Sequence, residues 1–358
     1  MTPPIIFING RFLTQAVTGV QRYAIEAVKA LDLQLRPGQD VRLLVPGAGL
    51  KTAPALRNIP VVRAGRLAGH PWEQFELPFY SRGGVLLNLC NPAPLYRTRQ
   101  VALIHDMIVF AVPGCTSLLF RTWHQAMFRR VTRNSRTLIT DSEFSRSEII
   151  RILGTPPEKI KVIHAGCDHM AAIEPDYSIL GRNGLAGRPF IFAVSSLNPN
   201  KNFGSVIKAM EGIKNPGFDL VIAGGINPAV FSQDRAGFPE SVKYLGYVTD
   251  AELKALYSRA ACFVYPSFYE GFGLPPLEAM ACGAPVIASN TSSLPEVCGG
   301  AARYIDPASA ESISAAIVEL MASPALREQL KHKGLEQVKL FKWADTARGL
   351  YNSCLEAA

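Results

Sequence analysis

A glycine-containing loop lies between an apolar run and a helix in the segment 260–283. Ala260–Tyr265 is an apolar run of strand length, and Pro266 ends it because proline cannot donate a hydrogen bond to a central ladder. Gly271 and Gly273 allow a sharp turn and a close approach to a ligand, since neither carries a Cβ atom. The segment therefore predicts a strand, a glycine loop and a short helix.

The helix after this loop has signals at both of its ends. Pro275 and Pro276 are tolerated in a first turn, where amides are unpaired in any case, and Gly283 lies where the helix should end. Glu278 falls in the predicted first turn, where the helix dipole favours a negative charge. If Glu278 only complemented the helix dipole, Glu270 would remain unexplained. The alternative is that the loop binds a ligand: a diphosphate would lie near the loop amides, and both carboxylates would accept hydrogen bonds from sugar hydroxyls.

Glu270, seven residues and then Glu278, followed by AMACGAPV, resembles the E-x7-E signature of retaining GT-B glycosyltransferases of family 4. The resemblance implies that Glu270 contacts the donor sugar and that Glu278 binds the ribose diol of a nucleotide sugar. It places the sugar and phosphates near the amides of Gly271, Phe272, Gly273 and Leu274. The implied fold is α/β in the GT-B architecture, with two Rossmann-like doubly wound domains that face each other across a cleft.

A chain of 358 residues is long enough for two such domains. We expect an acceptor-binding domain over residues 1–175 and a nucleotide-sugar domain over residues 176–340, with a polar linker at 176–188. The resemblance assigns residues 341–358 to a helix that crosses back to the first domain.

Two segments of the first half are candidates for the site. Gly19 begins a predicted helix after the first strand, and its surroundings resemble the first glycine loop of the family. His105 and Asp106 directly follow the apolar run 101–104, and open α/β sheets bind ligands at the carboxyl ends of their strands. The resemblance assigns His105 to the donor-sugar or acceptor region and Asp106 to a base or positioning role.

Lys201 lies in the predicted loop between the first strand and first helix of the second half, where a cation can neutralise a leaving diphosphate. The family carries a Lys-Asn step here, usually after one or two arginines. Ser196 and Asn200 stand in those arginine positions, so Lys201 would bear the phosphate charge alone. We count Ser196 among the donor-binding residues.

The positive charge is confined to the first half of the chain. Residues 1–170 hold 21 Lys and Arg against 11 Asp and Glu, about +10, whereas residues 171–358 hold 16 against 18, about −2. Segment 118–136 has the pattern of a basic amphipathic helix, which suits either a core helix with a solvated face or an anionic membrane surface. The candidate membrane contacts are Arg121, Arg129, Arg130, Arg133 and Arg136.

Cysteine usage and the apolar runs bear on the compartment. The seven cysteines form no C-x-x-C pair, which favours a reducing cytoplasm over a disulfide framework or a structural zinc site. The first ten residues lack the pattern of a signal peptide, and the longest apolar stretch is too short to cross a bilayer. We therefore expect a cytoplasmic protein that is soluble or peripheral at the inner face of the membrane.

The sequence lacks the signature motifs of other nucleotide-dependent enzyme classes. No G-x-G-x-x-G follows the first strand and no GxxxxGK[ST] occurs, which argues against nicotinamide or flavin oxidoreductases and against P-loop hydrolases. A non-enzymatic protein that binds nucleic acid or a membrane surface could use the basic half, but it would give the carboxylate pair no purpose. We therefore expect no nucleic-acid partner.

The resemblance implies a retaining hexosyltransferase. From residue 246 to residue 296 the chain is most similar to bacterial mannosyltransferases of surface-polysaccharide and O-antigen assembly that use GDP-mannose. The acceptor would be a saccharide or a polyprenyl-diphosphate-linked saccharide, and the alternative donors are UDP- and dTDP-sugars. We expect no cofactor beyond the donor co-substrate. We also expect no metal, because no Asp-x-Asp motif occurs.

Overall fold

The computed structural model describes residues 3–51, 54–195, 198–214, 216–225 and 242–358. The strands are β1 Ile6–Asn9, β2 Val41–Pro46, β3 Val61–Ala64, β4 Val85–Asn88, β5 Gln100–Leu103, β6 Thr137–Thr140, β7 Ile160–Val162, β8 Phe190–Ser195, β9 Asp219–Gly224, β10 Val242–Gly246, β11 Cys262–Tyr265, β12 Val286–Ser289 and β13 Ala302–Ile305. The α-helices are α1 Gly19–Gln34, α2 Gly69–Pro71, α3 Leu77–Tyr80, α4 Ile108–Ala111, α5 Leu118–Asn134, α6 Glu143–Leu153, α7 Ser178–Arg182, α8 Phe203–Glu211, α9 Asp250–Arg259, α10 Leu274–Ala281, α11 Leu294–Cys298, α12 Ala310–Ala322, α13 Pro324–Gln337 and α14 Trp343–Glu356.

The first sheet has seven strands in the order β3-β2-β1-β4-β5-β6-β7, and every neighbouring pair is parallel. Its central strands are short apolar runs buried along their whole length, as expected for a parallel sheet covered by helices on both faces. The strand order reverses between β1 and β4. Doubly wound sheets bind ligands outside the carboxyl ends of the strands at such a reversal.

The second sheet has six parallel strands in the order β10-β9-β8-β11-β12-β13, which is the doubly wound order 3-2-1-4-5-6 when counted from β8. The order reverses between β8 and β11, where Ile191 pairs with Cys262 and Phe192 pairs with Phe263. The loops that follow these two strands therefore emerge side by side. The prediction of two doubly wound α/β domains is confirmed.

Helix α12 shows how the second sheet is covered. Its buried positions are Ile313, Ala316, Ile317 and Leu320, spaced three or four residues apart as on one face of a helix. These side chains join one apolar cluster with strand residues such as Ile222. The cluster fixes the sheet from which the site loops extend.

The chain divides into two compact units, one of residues 1–166 and 342–358 and the other of residues 167–341. The division after Gly166 lies earlier than the expected boundary at residue 175. The prediction of a linker at 176–188 is wrong, because this segment contains α7 and buries Ile179 and Leu185. Its start is also fixed by a hydrogen bond from the Asp176 amide to the Ala251 carbonyl, 2.9 Å long.

The final helix, α14, belongs to the first unit. Gln34 at the end of α1 donates to the Ala344 carbonyl at 2.9 Å, and the Thr346 hydroxyl donates to the His164 carbonyl at 2.7 Å. At Gly166 the chain passes so close to this helix that a Cβ atom would lie 2.2 Å from the Trp343 amide nitrogen. Only glycine fits at that position.

Candidate active site

The loop between β11 and α10 has the predicted glycine geometry. Gly273 has φ +116°, and a Cβ atom there would lie 2.7 Å from Leu294 Cδ2, so both its backbone and its surroundings favour glycine. Helix α10 begins at Leu274 with the two prolines in its first turn, and Gly283 follows the C-cap with φ +80°. One detail was wrong: Glu278 lies one residue beyond the first turn, so the dipole argument does not account for it.

Two serines after β12 brace this loop. The buried Ser293 hydroxyl lies 3.0 Å from the Glu270 carbonyl and 2.6 Å from the Phe272 carbonyl. The Ser292 hydroxyl accepts a hydrogen bond from the Glu270 amide at 3.0 Å. Nothing in the local sequence marks these serines as partners of the loop. The structure shows that they fix the backbone on both sides of Gly271.

Lys201 and Glu270 form an ion pair with 2.6 Å between Nζ and Oε1. Lys201 Nζ also lies 3.2 Å from the Tyr265 hydroxyl and 5.6 Å from the centre of that ring. Burial alone lowers the pKa of Lys201, but the Glu270 charge and the Tyr265 hydroxyl outweigh it, so the pKa is raised. Lys201 is therefore a cation fixed at the carboxyl edge of the second sheet.

Asparagines on both sides of Lys201 hold it in place. The Asn200 side-chain Nδ2 donates to the Tyr269 carbonyl at 2.8 Å, and the Asn200 backbone carbonyl accepts from the Phe268 amide at 2.8 Å, which joins the loop after β8 to the loop after β11. Asn202 has φ +60°, and its side-chain Nδ2 donates to the carbonyls of the loop residue Pro266 and of Pro307. Asn200, which stands at a family arginine position, is thus a buried brace. Ser196 lies outside the described residues.

The Glu278 carboxylate is buried and contacts two side chains of the same unit. His169 Nε2 lies 3.2 Å from Oε1, and the Tyr257 hydroxyl lies 3.4 Å from Oε2. Burial, followed by the Glu278 charge, raises the pKa of Tyr257, which keeps this hydroxyl protonated as a donor. Sequence reasoning identified neither neighbour, because nothing near His169 or Tyr257 along the chain marks them as partners of Glu278.

In the first unit, both ring nitrogens of His105 contact acceptors. Nδ1 lies 2.5 Å from Asp141 Oδ2, and Nε2 lies 2.9 Å from the Leu89 carbonyl. Burial alone lowers the pKa of His105, but the Asp141 carboxylate outweighs it, and the pKa is raised. The side chain is therefore arranged as a fixed cation rather than as a base with an open nitrogen.

Asp106 and the start of α1 border a cavity of about 260 Å³ at the carboxyl edge of the first sheet. Asp106 Oδ1 accepts from the Ile108 amide at 2.9 Å, and Thr18 also lines the cavity. A Cβ atom at Gly19 would meet nothing within 4 Å, so sterics do not explain this glycine. The other polar lining residues are Arg11, Gln15, Gln21, His70, Cys90, Asn91 and His124.

The predicted residues thus fall into two groups. Lys201, Glu270, the loop 271–274 and Glu278 lie in the second unit, whereas Gly19, His105 and Asp106 lie in the first. Among the described residues, no three His, Cys, Asp or Glu side chains are grouped as metal ligands.

Comparisons with known proteins agree over both units. Residues 17–170 match the family model "Glycosyltransferase Family 4", and residues 181–337 match "Glycosyl transferases group 1". The O-antigen chain mannosyltransferase B of Escherichia coli is 30% identical over 94% of this chain and 96% of its own length.

Solved structures show the same fold. Sucrose-phosphate synthase from Thermosynechococcus elongatus superimposes with a TM-score of 0.77 at 21% identity, over 99% of this chain and 100% of that one. Anabaena HepE in complex with UDP-glucose gives a TM-score of 0.72 at 17% identity, with 98% of each chain covered. The predicted GT-B architecture is confirmed, and the family models together with the full-length relative show that this chain is a glycosyltransferase of the group 1, family 4 type.

Proposed function

We propose that the protein is a retaining mannosyltransferase that moves mannose from GDP-mannose to a saccharide or lipid-linked saccharide in surface-polysaccharide biosynthesis. The observation that carries the proposal is the Lys201–Glu270 pair beside the braced loop 270–273, with the buried Glu278 on the following helix. The E. coli relative, an O-antigen chain mannosyltransferase aligned over nearly the whole chain, supports the choice of sugar.

In this proposal Glu278 binds the ribose diol and Glu270 binds the transferred sugar. Lys201 and the amides of residues 271–274 stabilise the negative charge that grows on the diphosphate as the anomeric bond breaks. The departing phosphate takes the acceptor proton, so no separate base is needed. Lys201 would then exchange part of its contact with Glu270 for a phosphate oxygen.

The cavity in the first unit is the proposed acceptor site. Its lining combines hydrogen-bonding side chains such as Arg11 and Asp106 with the ring of Phe120, which stacks on His124 with 3.7 Å between ring centroids. Polar groups beside an aromatic face suit a sugar, which presents hydroxyls at its rim.

A thermal-shift screen tests the donor. We expect GDP and GDP-mannose, at about 100 times their Kd, to stabilise the second unit, residues 167–341, by roughly 2.7 kcal/mol, or roughly 5–10 °C in the Tm of that unit. UDP, dTDP and their sugars should have little effect at the same concentration. A larger shift with a uridine nucleotide would favour the second candidate, a UDP-sugar transferase, which the fold shared with HepE makes the natural alternative.

No helix in the described part of the chain is long and apolar enough to cross a membrane. We propose a peripheral, cytoplasmic protein that meets anionic lipid through α5. Arg129 and Arg130 on this helix are exposed, and each lies over an aromatic ring, of Phe110 and Tyr96 respectively. The same helix exposes apolar side chains near its start: Leu118, Leu119, Phe120 and Trp123.

Two of the five candidate arginines donate hydrogen bonds to backbone carbonyls of the first unit. Arg136 donates to the carbonyls of Ala357 and Ala358, and Arg121 donates to the Pro113 carbonyl at 3.0 Å. The remaining three, Arg129, Arg130 and Arg133, are exposed and are the better choice for mutation.

Changing Arg129, Arg130 and Arg133 together to Glu should weaken sedimentation with anionic liposomes. Each nearby basic residue contributes about 1 kcal/mol, so losing three should reduce binding at least roughly 100-fold, and added salt should release the wild type. Hydrolysis of the donor should persist. The matched control changes three exposed lysines of the second unit, Lys208, Lys214 and Lys333, to Glu. Equal binding of wild type to anionic and zwitterionic liposomes would contradict the electrostatic account.

A further inference from the structure

The Glu278 carboxylate contacts two buried side chains. The carboxylate is buried with 7% of the residue exposed, and it lies between two donors from different segments of the second unit. His169 comes from the short 3-10 helix Asp168–Ala172, and Tyr257 comes from α9. Because a carboxylate oxygen only accepts, Nε2 of His169 carries the proton in the 3.2 Å contact to Oε1.

We propose that His169 is a positioning residue for the nucleotide: it orients the Glu278 carboxylate so that the remaining lone pairs face the two ribose hydroxyls. The inference rests on the proposed function, in which Glu278 binds the ribose. An ionised carboxyl group has about four acceptor positions. His169 and Tyr257 occupy one on each oxygen, which leaves the two that a vicinal diol requires.

The packing fixes His169 itself. Its side chain is 5% exposed, and the neighbouring residues Cys167 and Met170 are buried. The Cys167 amide donates to the Phe341 carbonyl at 3.2 Å, which anchors the start of the 3-10 helix within the unit. The imidazole therefore reaches Glu278 from a fixed backbone.

Tyr257 is the weaker of the two contacts. Its hydroxyl lies 3.4 Å from Oε2, at the long end of the hydrogen-bond range. Its ring packs against Phe192 and Phe263 with centroids 5.4 and 5.2 Å away, which accounts for its burial independently of Glu278. We therefore assign the larger orienting role to His169.

Titration calorimetry with GDP and 2′,3′-dideoxy-GDP tests the proposal, because only GDP carries the diol. The wild type should prefer GDP by roughly 10- to 100-fold, the range for hydrogen bonds to a charged group. His169→Ala should lower the affinity for GDP by roughly 3- to 10-fold and leave the affinity for dideoxy-GDP nearly unchanged. His169→Gln, which keeps an N–H at a similar reach, should restore most of the preference for GDP.

His332 offers a matched control, since its Nε2 also lies 3.2 Å from a glutamate oxygen, that of Glu328, but its side chain is 74% exposed. His332→Ala should bind both nucleotides as the wild type does. Two results would overturn the positioning role of His169. In one, His169→Ala lowers the affinity for both nucleotides equally; in the other, it keeps the full preference for GDP. If Glu278→Gln loses that preference in either case, the ribose assignment stands. If Glu278→Gln also keeps the preference, the ribose assignment itself fails.

Discussion

Lys201→Ala is expected to reduce sugar transfer by roughly 100- to 1000-fold, the loss found when one preorganised group that stabilises transition-state charge is removed. Lys201 is the cation nearest Glu270, with 2.6 Å between Nζ and Oε1, and no other Lys or Arg in the described residues forms an ion pair with that carboxylate. Initial rates with saturating donor measure the effect. A loss below threefold would remove Lys201 from the mechanism.

The same variant should lose stability, because the buried Glu270 carboxylate is left without its partner. Removing one member of a buried pair costs about 3 kcal/mol or more. The double variant Lys201→Met/Glu270→Gln carries no unpaired charge, so it should regain most of the stability but none of the activity. Urea unfolding of both variants separates the structural effect from the chemical one.

The ion pair should also be insensitive to pH over the usual assay range. The pKa of Lys201 is raised above its ordinary value of 10.5, so its contribution is fully present below pH 10.5 and is lost only when the pH rises through the folded pKa. Activity that fell between pH 7 and pH 9 would therefore come from another group.

The two glutamates should have separable effects. Glu278→Gln should weaken the binding of both GDP-mannose and free GDP by about 1–3 kcal/mol, because the ribose is common to both. Glu270→Gln should leave the affinity for GDP unchanged and mainly lower kcat, because the transferred sugar is absent from GDP. Calorimetry with GDP and steady-state kinetics with the donor distinguish the two. Wild-type affinity and rate in both variants would show that the E-x7-E assignment is wrong.

Local signals predicted the secondary structure around the glycine loop correctly. The order of strand β11, glycine loop and helix α10 follows from Pro266, Gly273 and Gly283, whose backbone constraints act within a few residues. Helix α1 begins at Gly19, as predicted, and its end at Gln34 lies three residues beyond the helical periodicity of residues 20–31, since periodicity defines an element better than its ends.

The contacts between distant segments could not be predicted in the same way. Lys201 and Glu270 were both named as site residues, but their ion pair depends on β8 lying beside β11, which only the strand order reveals. His169 lies 109 residues from Glu278 along the chain, and no local pattern joins them. The prediction of a linker at 176–188 was wrong because it was based on the polar composition of the segment, although Ile179 and Leu185 within it are buried.

The identity of the first sugar anomer released from GDP-α-mannose tests the central claim most directly. Proton NMR during early turnover, with or without acceptor, reports which anomer forms before mutarotation equilibrates them. The account predicts α-mannose or an α-mannoside, and loss of the signal in Lys201→Ala. A β product, or turnover of UDP-sugars alone, would contradict a retaining mannosyltransferase built on Lys201, Glu270 and Glu278.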